Sequence, residues 1–302
     1  MALKDIKTKI QATERTHKVT RAMEAVSAVK MRKTQGAALA GRPYARAALQ
    51  VLARLSGSAD LACHPLTAVR DIRHVALIIL TSDKGLAGAL NSGVIAAAAE
   101  AVLPYTADAV TVYAYGRKGE EYFARRGYRV ARAFENKKDA VEISVMEELS
   151  TELGRAFAGG TYDEVLVAYS NFKSTFEQVP TIRRLLPLTL PGITRLIEDI
   201  VPEKGKWSDL RAAGPVPAYS IEPDGGEVLA TLAPRLTAIS LYHTLLEAKA
   251  SEHSARMVAM KNASDKSKEV AHDLTRLFNK IRQAAITREV SEIVGGREAL
   301  AT

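Results

Sequence analysis

Residues 235–294 read RLTAISLYHTLLEAKASEHSARMVAMKNASDKSKEVAHDLTRLFNKIRQAAITREVSEIV, a run of sixty without glycine or proline. Sixty helical residues would extend ~90 Å at ~1.5 Å rise each, far beyond the ~11–12 residues of an ordinary globular helix. Alternating steps of four and three from Ile239 pick out Ile239, His243, Leu246, Ala250, His253, Met257, Met260, Ser264, Ser267, Ala271, Leu274, Phe278, Ile281 and Ala285. Ten of these fourteen are apolar and none is charged, while the thirteen charged residues of the same interval all fall elsewhere. A stripe that narrow, kept over so many turns, marks a coiled-coil seam, because a 3.5-residue repeat holds one edge toward a partner helix. Pro234 suits the first turn of this helix and Gly295-Gly296 its stop. The seam has soft places at His243, His253, Ser264 and Ser267, so the spacing also predicts a loosely packed section.

The other end of the chain offers the partner. Residues 1–35 again lack glycine and proline, and Leu3, Ile6, Ile10, Thr13, His17 and Thr20 keep the same spacing. The apolar pattern then predicts a phase slip to Met23, Val26 and Val29. Two such ends, separated by a compact insertion, pair most simply with each other and antiparallel. A homodimeric zipper is disfavoured, since each end alone has a mediocre seam. No carboxylate or cysteine accompanies the seam histidines at metal spacing, so they read as interface residues.

The charge sits where the helices are. The chain carries +8 overall; residues 1–33 hold nine Lys/Arg against three acids, and residues 235–302 hold eleven against eight. Between them, residues 34–234 are balanced at twenty-two against twenty-three. Such ends seek an acidic partner, either nucleic acid or an acidic protein surface. Cys63 is the only cysteine, which excludes a disulfide framework and a multi-cysteine metal site. No apolar run reaches the ~18 residues of a membrane span, and Met1-Ala2-Leu3-Lys4-Asp5 has no signal-peptide core.

The middle has a different grammar. His74 to Leu80 is nearly continuous apolar and β-branched, as in a strand buried on both faces, and Ala109–Tyr115 and Val165–Tyr169 are similar. Ser92–Leu103, Lys118–Arg126 and Asp139–Phe157 read as helices between them, which implies an α/β layer with a mostly parallel sheet. The loop Thr81–Asn91 follows the first strand and bears glycines, but it lacks both the phosphate-cradle and the three-glycine dinucleotide spacing. Gly116-Arg117-Lys118-Gly119 is no stronger. No nucleophile–histidine–acid set stands out, and neither catalytic residues, cofactor nor metal are expected. Residues 191–226, with five of the eleven prolines, read as a connection, with Trp207 as its anchor.

Several stretches, read together, carry a family resemblance. Thr20-Arg21-Ala22-Met23-Glu24-Ala25-Val26-Ser27-Ala28-Val29-Lys30-Met31-Arg32-Lys33-Thr34-Gln35, the segments Glu252–Ala263 and Asn279–Glu289, and Glu292-Ile293-Val294-Gly295-Gly296 resemble the gamma subunit of F-type ATP synthases. The Thr81–Asn91 loop and the Val179–Leu188 segment do so as well, in the right order along the chain. The resemblance implies an antiparallel two-helix coiled coil plus a central Rossmann-like α/β domain. The segments would be 1–56 (first shaft helix), 70–190 (α/β domain), 191–226 (connection) and 227–302 (second shaft helix). It further implies a rotor without bond chemistry, coupling ion flow to ATP synthesis or hydrolysis on beta subunits. The implied partners are a ring of alpha and beta subunits, an epsilon subunit and the membrane c-ring, at the cytoplasmic face of a bacterial plasma membrane. Met23, Lys30, Arg282, Gln283 and Thr287 fall at positions that would touch beta, where Arg282 can grip a carboxylate bidentately. The 191–226 connection is longer than usual for that family, and the lone cysteine excludes the thiol switch of chloroplast gammas. A basic coiled coil that binds nucleic acid is the alternative reading, though no groove-reading motif accompanies the charge. A nucleotide-dependent α/β enzyme, centred on Thr81–Asn91, is the third.

Overall fold

A computed structural model describes residues 3–55, 64–136, 143–189 and 225–301. Cys63, Trp207 and the connection expected at 191–226, up to residue 224, lie outside the described residues. The chain divides into two compact units: residues 29–255, and residues 1–28 together with 256–302.

The larger unit is built on a five-stranded sheet in the order β3-β2-β1-β4-β5. The strands are β1 (Val75–Leu80), β2 (Val110–Tyr115), β3 (Arg129–Phe134), β4 (Glu164–Phe172) and β5 (Gln178–Leu186). The first four are mutually parallel and β5 is antiparallel to β4. Between them lie α2 (Leu90–Val102), α3 (Arg117–Ala124) and α4 (Ile143–Ala158). As the apolar run from His74 predicts, all of β1 is buried. Val75, Leu77 and Ile79 pack with Val94, Ala98 and Val102 of α2 and Phe123 of α3. Ala76, Ile78 and Leu80 face Met146, Leu149 and Leu153 of α4, and Leu236, Leu241 and Leu245 from the C-terminal helix. Each of the larger of these side chains, the alanines excepted, contributes about 1.5–3 kcal/mol through its removal from water.

Two strands are not visible as apolar runs. β3 alternates between exposed and half-buried positions and carries Arg129 and Arg132. It is an edge strand, stabilised in part by Arg132 bridging Glu148 and Glu152 of α4 at 3.0 and 2.8 Å. β5 contains Pro180, which cannot donate to a ladder and is tolerated because β5 is the other edge. At the amino edge of the sheet, Asp163 accepts hydrogen bonds from the backbone N–H groups of Arg73 and His74, both at 2.9 Å. Burial works against its charge, but those two donors prevail and hold the carboxyl below its ordinary value. Across the α4 face, burial and the neighbouring Tyr162 hydroxyl push the Tyr113 phenol upward.

The two long helices are α1 (Leu3–Leu55) and α5 (Gly225–Ala301). Neither expected terminator ends α5. Pro234 lies inside it, and Gly295-Gly296 keep helical backbone. An interior proline costs about 3 kcal/mol. Here Ala230 and Pro234 lie on the solvent side, so the carbonyl deprived of its donor can be hydrated. The adjoining Ala233, Leu236 and Thr237 are buried, and this packing carries the helix through.

In the smaller unit, α1 and α5 pair along the expected seam. From Met257 onward every seam position (Met260, Ser264, Ser267, Ala271, Leu274, Phe278, Ile281 and Ala285) is buried or half-buried, while most of its neighbours are exposed. His17 of α1 meets Ser264 of α5, with Nδ1 3.0 Å from both its hydroxyl and its carbonyl oxygen. An antiparallel register through that pair sets Leu3 beside Phe278. The stripe on α5 accordingly ends just beyond, with residues 286–294 all exposed.

Two expectations fail along these helices. Val26 and Val29 are 54% and 66% exposed, whereas Ser27, Met31 and Thr34 are buried. The α1 stripe therefore continues in phase through polar residues, and no slip occurs. Thr20 and Thr34 fit there because each hydroxyl donates back to a carbonyl of its own helix. The seam at Ser264 is also not loose. The residue is 3% exposed and the His17 ring occupies the space a larger side chain would fill.

Candidate partner-contact surface

The five residues singled out for partner contact divide by location. Arg282, Gln283 and Thr287 lie on the exposed stretch of α5 that outruns α1. Gln283 and Thr287 are one turn apart on one face, and the Thr287 hydroxyl donates to the Gln283 carbonyl at 3.0 Å. That leaves the Gln283 amide, the Arg282 guanidinium and the lone pairs of Thr287 facing outward. Met23 is half-buried beside the seam. In the antiparallel register it stands opposite residue 258, so ~36 Å of helix separates it from Arg282. Lys30 belongs to the other compact unit, is half-buried and is engaged with neighbouring groups. Beyond Gln283 the same free end exposes Ile286, Val290, Ile293 and Val294. Their spacing of four, three and one makes an apolar stripe, which the sequence reading did not single out.

The second place to look is the carboxyl edge of the sheet, where doubly wound α/β folds take their ligands, beside the strand at which the order reverses. Here that strand is β1, flanked by β2 and β4. The Thr81–Asn91 loop leaves β1 at this edge and spends its polar groups internally. Asn91 accepts from the Ser82 N–H at 3.0 Å and donates to the Ser82 hydroxyl at 2.7 Å. Asp83 accepts from the backbone N–H of Arg117, the first residue of α3, and from that of Asn136, both at 2.9 Å. The N-terminus of α3 therefore already holds a carboxylate where a phosphate would sit. Gly116, at φ +101°, lies so close to the Thr81 carbonyl that a Cβ there would stand 2.0 Å from its oxygen. That approach lets the Thr81 hydroxyl donate to the Gly116 carbonyl at 3.1 Å and accept from the Gly119 N–H at 2.9 Å.

The rest of the crevice is filled by α5 itself. Ser251 donates to the Ser170 carbonyl at 2.8 Å, and Ser254 donates to the Thr175 carbonyl at 2.6 Å. The Asn136 amide donates to Glu252 at 3.1 Å and to the Thr81 carbonyl at 2.8 Å. The Lys249 ammonium lies 6.0 Å from the Tyr115 ring centroid, at the end of β2. Among the described residues no group of three or more His, Cys, Asp or Glu is placed to hold a metal ion, and no helix is long and apolar enough to cross a membrane.

The family model for ATP synthase matches residues 2–300. The ATP synthase gamma chain of Roseiflexus sp. is 41% identical over 304 residues, covering 99% of this chain and 98% of its own. That of Pelotomaculum thermopropionicum is 36% identical over 299 residues, covering 99% of both. The chain belongs to the ATP synthase gamma chain family.

Solved structures agree on the fold. A chain of the Euglena gracilis mitochondrial ATP synthase aligns with a TM-score of 0.64 at 16% identity, covering 99% of this gamma chain and 94% of its own. A chain of the Tetrahymena thermophila mitochondrial ATP synthase central stalk and c-ring aligns at 0.60 and 24% identity, covering 82% and 99%. As a gamma chain, the protein is a component of ATP synthase and forms its central rotor stalk. Its basic helices are those of the stalk, and the nucleic-acid alternative has nothing further in its favour.

Proposed function

We propose that this gamma chain is the non-catalytic coupling element of its complex, turned by ion flow through a membrane c-ring and passing that rotation to catalytic sites on beta subunits. The observation that carries the reading is the free end of α5. A helix that leaves its partner and still presents Arg282, Gln283, Thr287 and an apolar stripe is shaped to run inside a sleeve supplied by other chains. The surplus of six positive charges on residues 1–33 suits acidic loops of beta, and Met23 and Lys30 are the two positions of this segment that would each meet beta. An asymmetric pair of helices inside a ring of alternating alpha and beta subunits presents a different face to each site. It thereby biases chemically equivalent sites toward different affinities, and that differential contact is the coupling free energy. The larger unit joins an epsilon subunit and the c-ring at the cytoplasmic face of a bacterial plasma membrane.

The test is reconstitution with alpha and beta subunits. A hexamer that assembles around this chain, and whose steady ATP hydrolysis depends on it, is the expected result. Failure to assemble, or hydrolysis indifferent to the chain, overturns the reading.

A further inference from the structure

The carboxyl-edge crevice, filled by α5, does more than bury a helix. Residues Leu236, Leu241 and Leu245 join α5 to the sheet through apolar contact, which is non-directional and resists rotation about the helix axis weakly. From Lys249 onward, directional contacts to the sheet are added. At ~100° per residue, Ser251 and Ser254 share one side of the helix, and Lys249 and Glu252 share nearly the opposite side. The serines are tied to Ser170 on β4 and to Thr175 in the turn that follows it. On the other side, Lys249 lies over Tyr115 at the end of β2, and Glu252 is held by Asn136, just beyond β3. β3 and β4 are separated by β2 and β1, a span of ~14 Å at ~4.8 Å per strand. The helix is therefore gripped on two opposite sides from two halves of one sheet, and Asn136 passes the grip on to Thr81 and Asp83.

We infer that Ser251, Glu252 and Ser254, with Asn136, form a torque joint that locks α5 against rotation about its own axis relative to the sheet. These are positioning residues, and the inference rests on the rotor reading above. Under load, apolar packing alone would let the helix turn between neighbouring seatings. The hydrogen bonds fix one seating, and they do so at the last residues of the larger unit, which ends at Ala255.

The experiment uses the whole enzyme in sealed vesicles, with ATP hydrolysis and ATP-driven ion pumping measured per assembled complex. Asn136→Ala, Glu252→Leu and the double variant Ser251→Ala/Ser254→Ala are expected to hydrolyse ATP near the unaltered rate while pumping falls. Losing a hydrogen bond to a charged group shifts a two-seating balance by about tenfold or more, so the pumping-to-hydrolysis ratio should drop severalfold. Glu252→Gln, whose amide oxygen still accepts from Asn136, should restore most of the ratio. A variant that merely weakened the fold would lower the amount of complex and leave the ratio alone. Wild-type ratios in all three variants, or no rescue by Glu252→Gln relative to Glu252→Leu, overturn the joint while leaving the rotor reading intact. If the unaltered chain supports no pumping at all, the rotor reading itself fails.

Discussion

Residues 236–254 and 257–285 belong to one helix and keep one heptad phase, yet they are buried in different ways. In the first stretch nearly every position is buried, including Glu247, Lys249 and Glu252. In the second, burial follows the seam and most of the rest is exposed. The heptad alone does not distinguish them, since both have polar residues on the stripe and charges off it. What differs is the number of surfaces each stretch meets. One lies within a sheet-based core and must satisfy charges on several sides, whereas the other has a single partner helix. A helix covered all round has its charges held by specific bonds, and a helix covered on one edge leaves them to water.

That contrast can be broken by substitution. Leu245→Ala removes a fully enclosed side chain from the first stretch and should cost about 3–4 kcal/mol, against about 1 kcal/mol for Leu274→Ala on the half-buried seam. Chemical denaturation of the isolated chain reads both, and equal losses would erase the distinction. Gly116→Ala, beneath the first stretch, should cost at least about 2 kcal/mol because of its positive φ and the Thr81 carbonyl. The same denaturation curve checks it, with retained stability counting against the close approach. On the seam, Ser264→Leu should destabilise by about 1–3 kcal/mol through overpacking against His17. A stabilised variant would restore the view that this section is under-filled.

A pH series sharpens the comparison from the sheet side. Asp163 has its pKa lowered on folding, so its contribution is fully present above the ordinary value of ~3.9 and disappears as pH falls through the folded one. The stability gap between the unaltered chain and Asp163→Asn should stay constant above about pH 5 and shrink below about pH 4. A gap independent of pH would show that the carboxylate charge adds nothing. The smallest effect is expected at the free end of α5. Arg282→Ala should change stability by less than about 0.5 kcal/mol while lowering hydrolysis in the reconstituted hexamer. A variant with full activity would remove Arg282 from the contact surface.

Much of this was legible in the chain, for identifiable reasons. A seam of ten apolar residues in fourteen, with thirteen charges excluded, overdetermines a coiled coil. A six-residue apolar run such as β1 overdetermines a doubly covered strand. β3 and β5 were not legible, since edge strands need only half an apolar pattern and tolerate Pro180 and arginines. The α1 stripe misled for a related reason. Thr20, Ser27 and Thr34 are buried on the seam with Met31 between them, while the more apolar Val26 and Val29 face outward, so hydrophobicity pointed to the wrong edge. Arg282, Gln283 and Thr287 were singled out only by resemblance, and no local pattern distinguishes them from any solvated helix face.

The sequence by itself determined the period of the long helices, the doubly covered strand, the placement of positive charge and the family, because those depend on residue order alone. Only the tertiary structure decided where α5 begins and ends, since packing at Ala233 and Leu236 carries it through Pro234. Only the tertiary structure likewise showed what fills the crevice at the carboxyl edge. Serines and a glutamate on a helix are ordinarily solvated, and nothing local marks Ser251, Glu252 and Ser254 as different. They become a joint because the strand order brings Ser170, Thr175 and Asn136, distant in the chain, within hydrogen-bonding reach of one turn of helix.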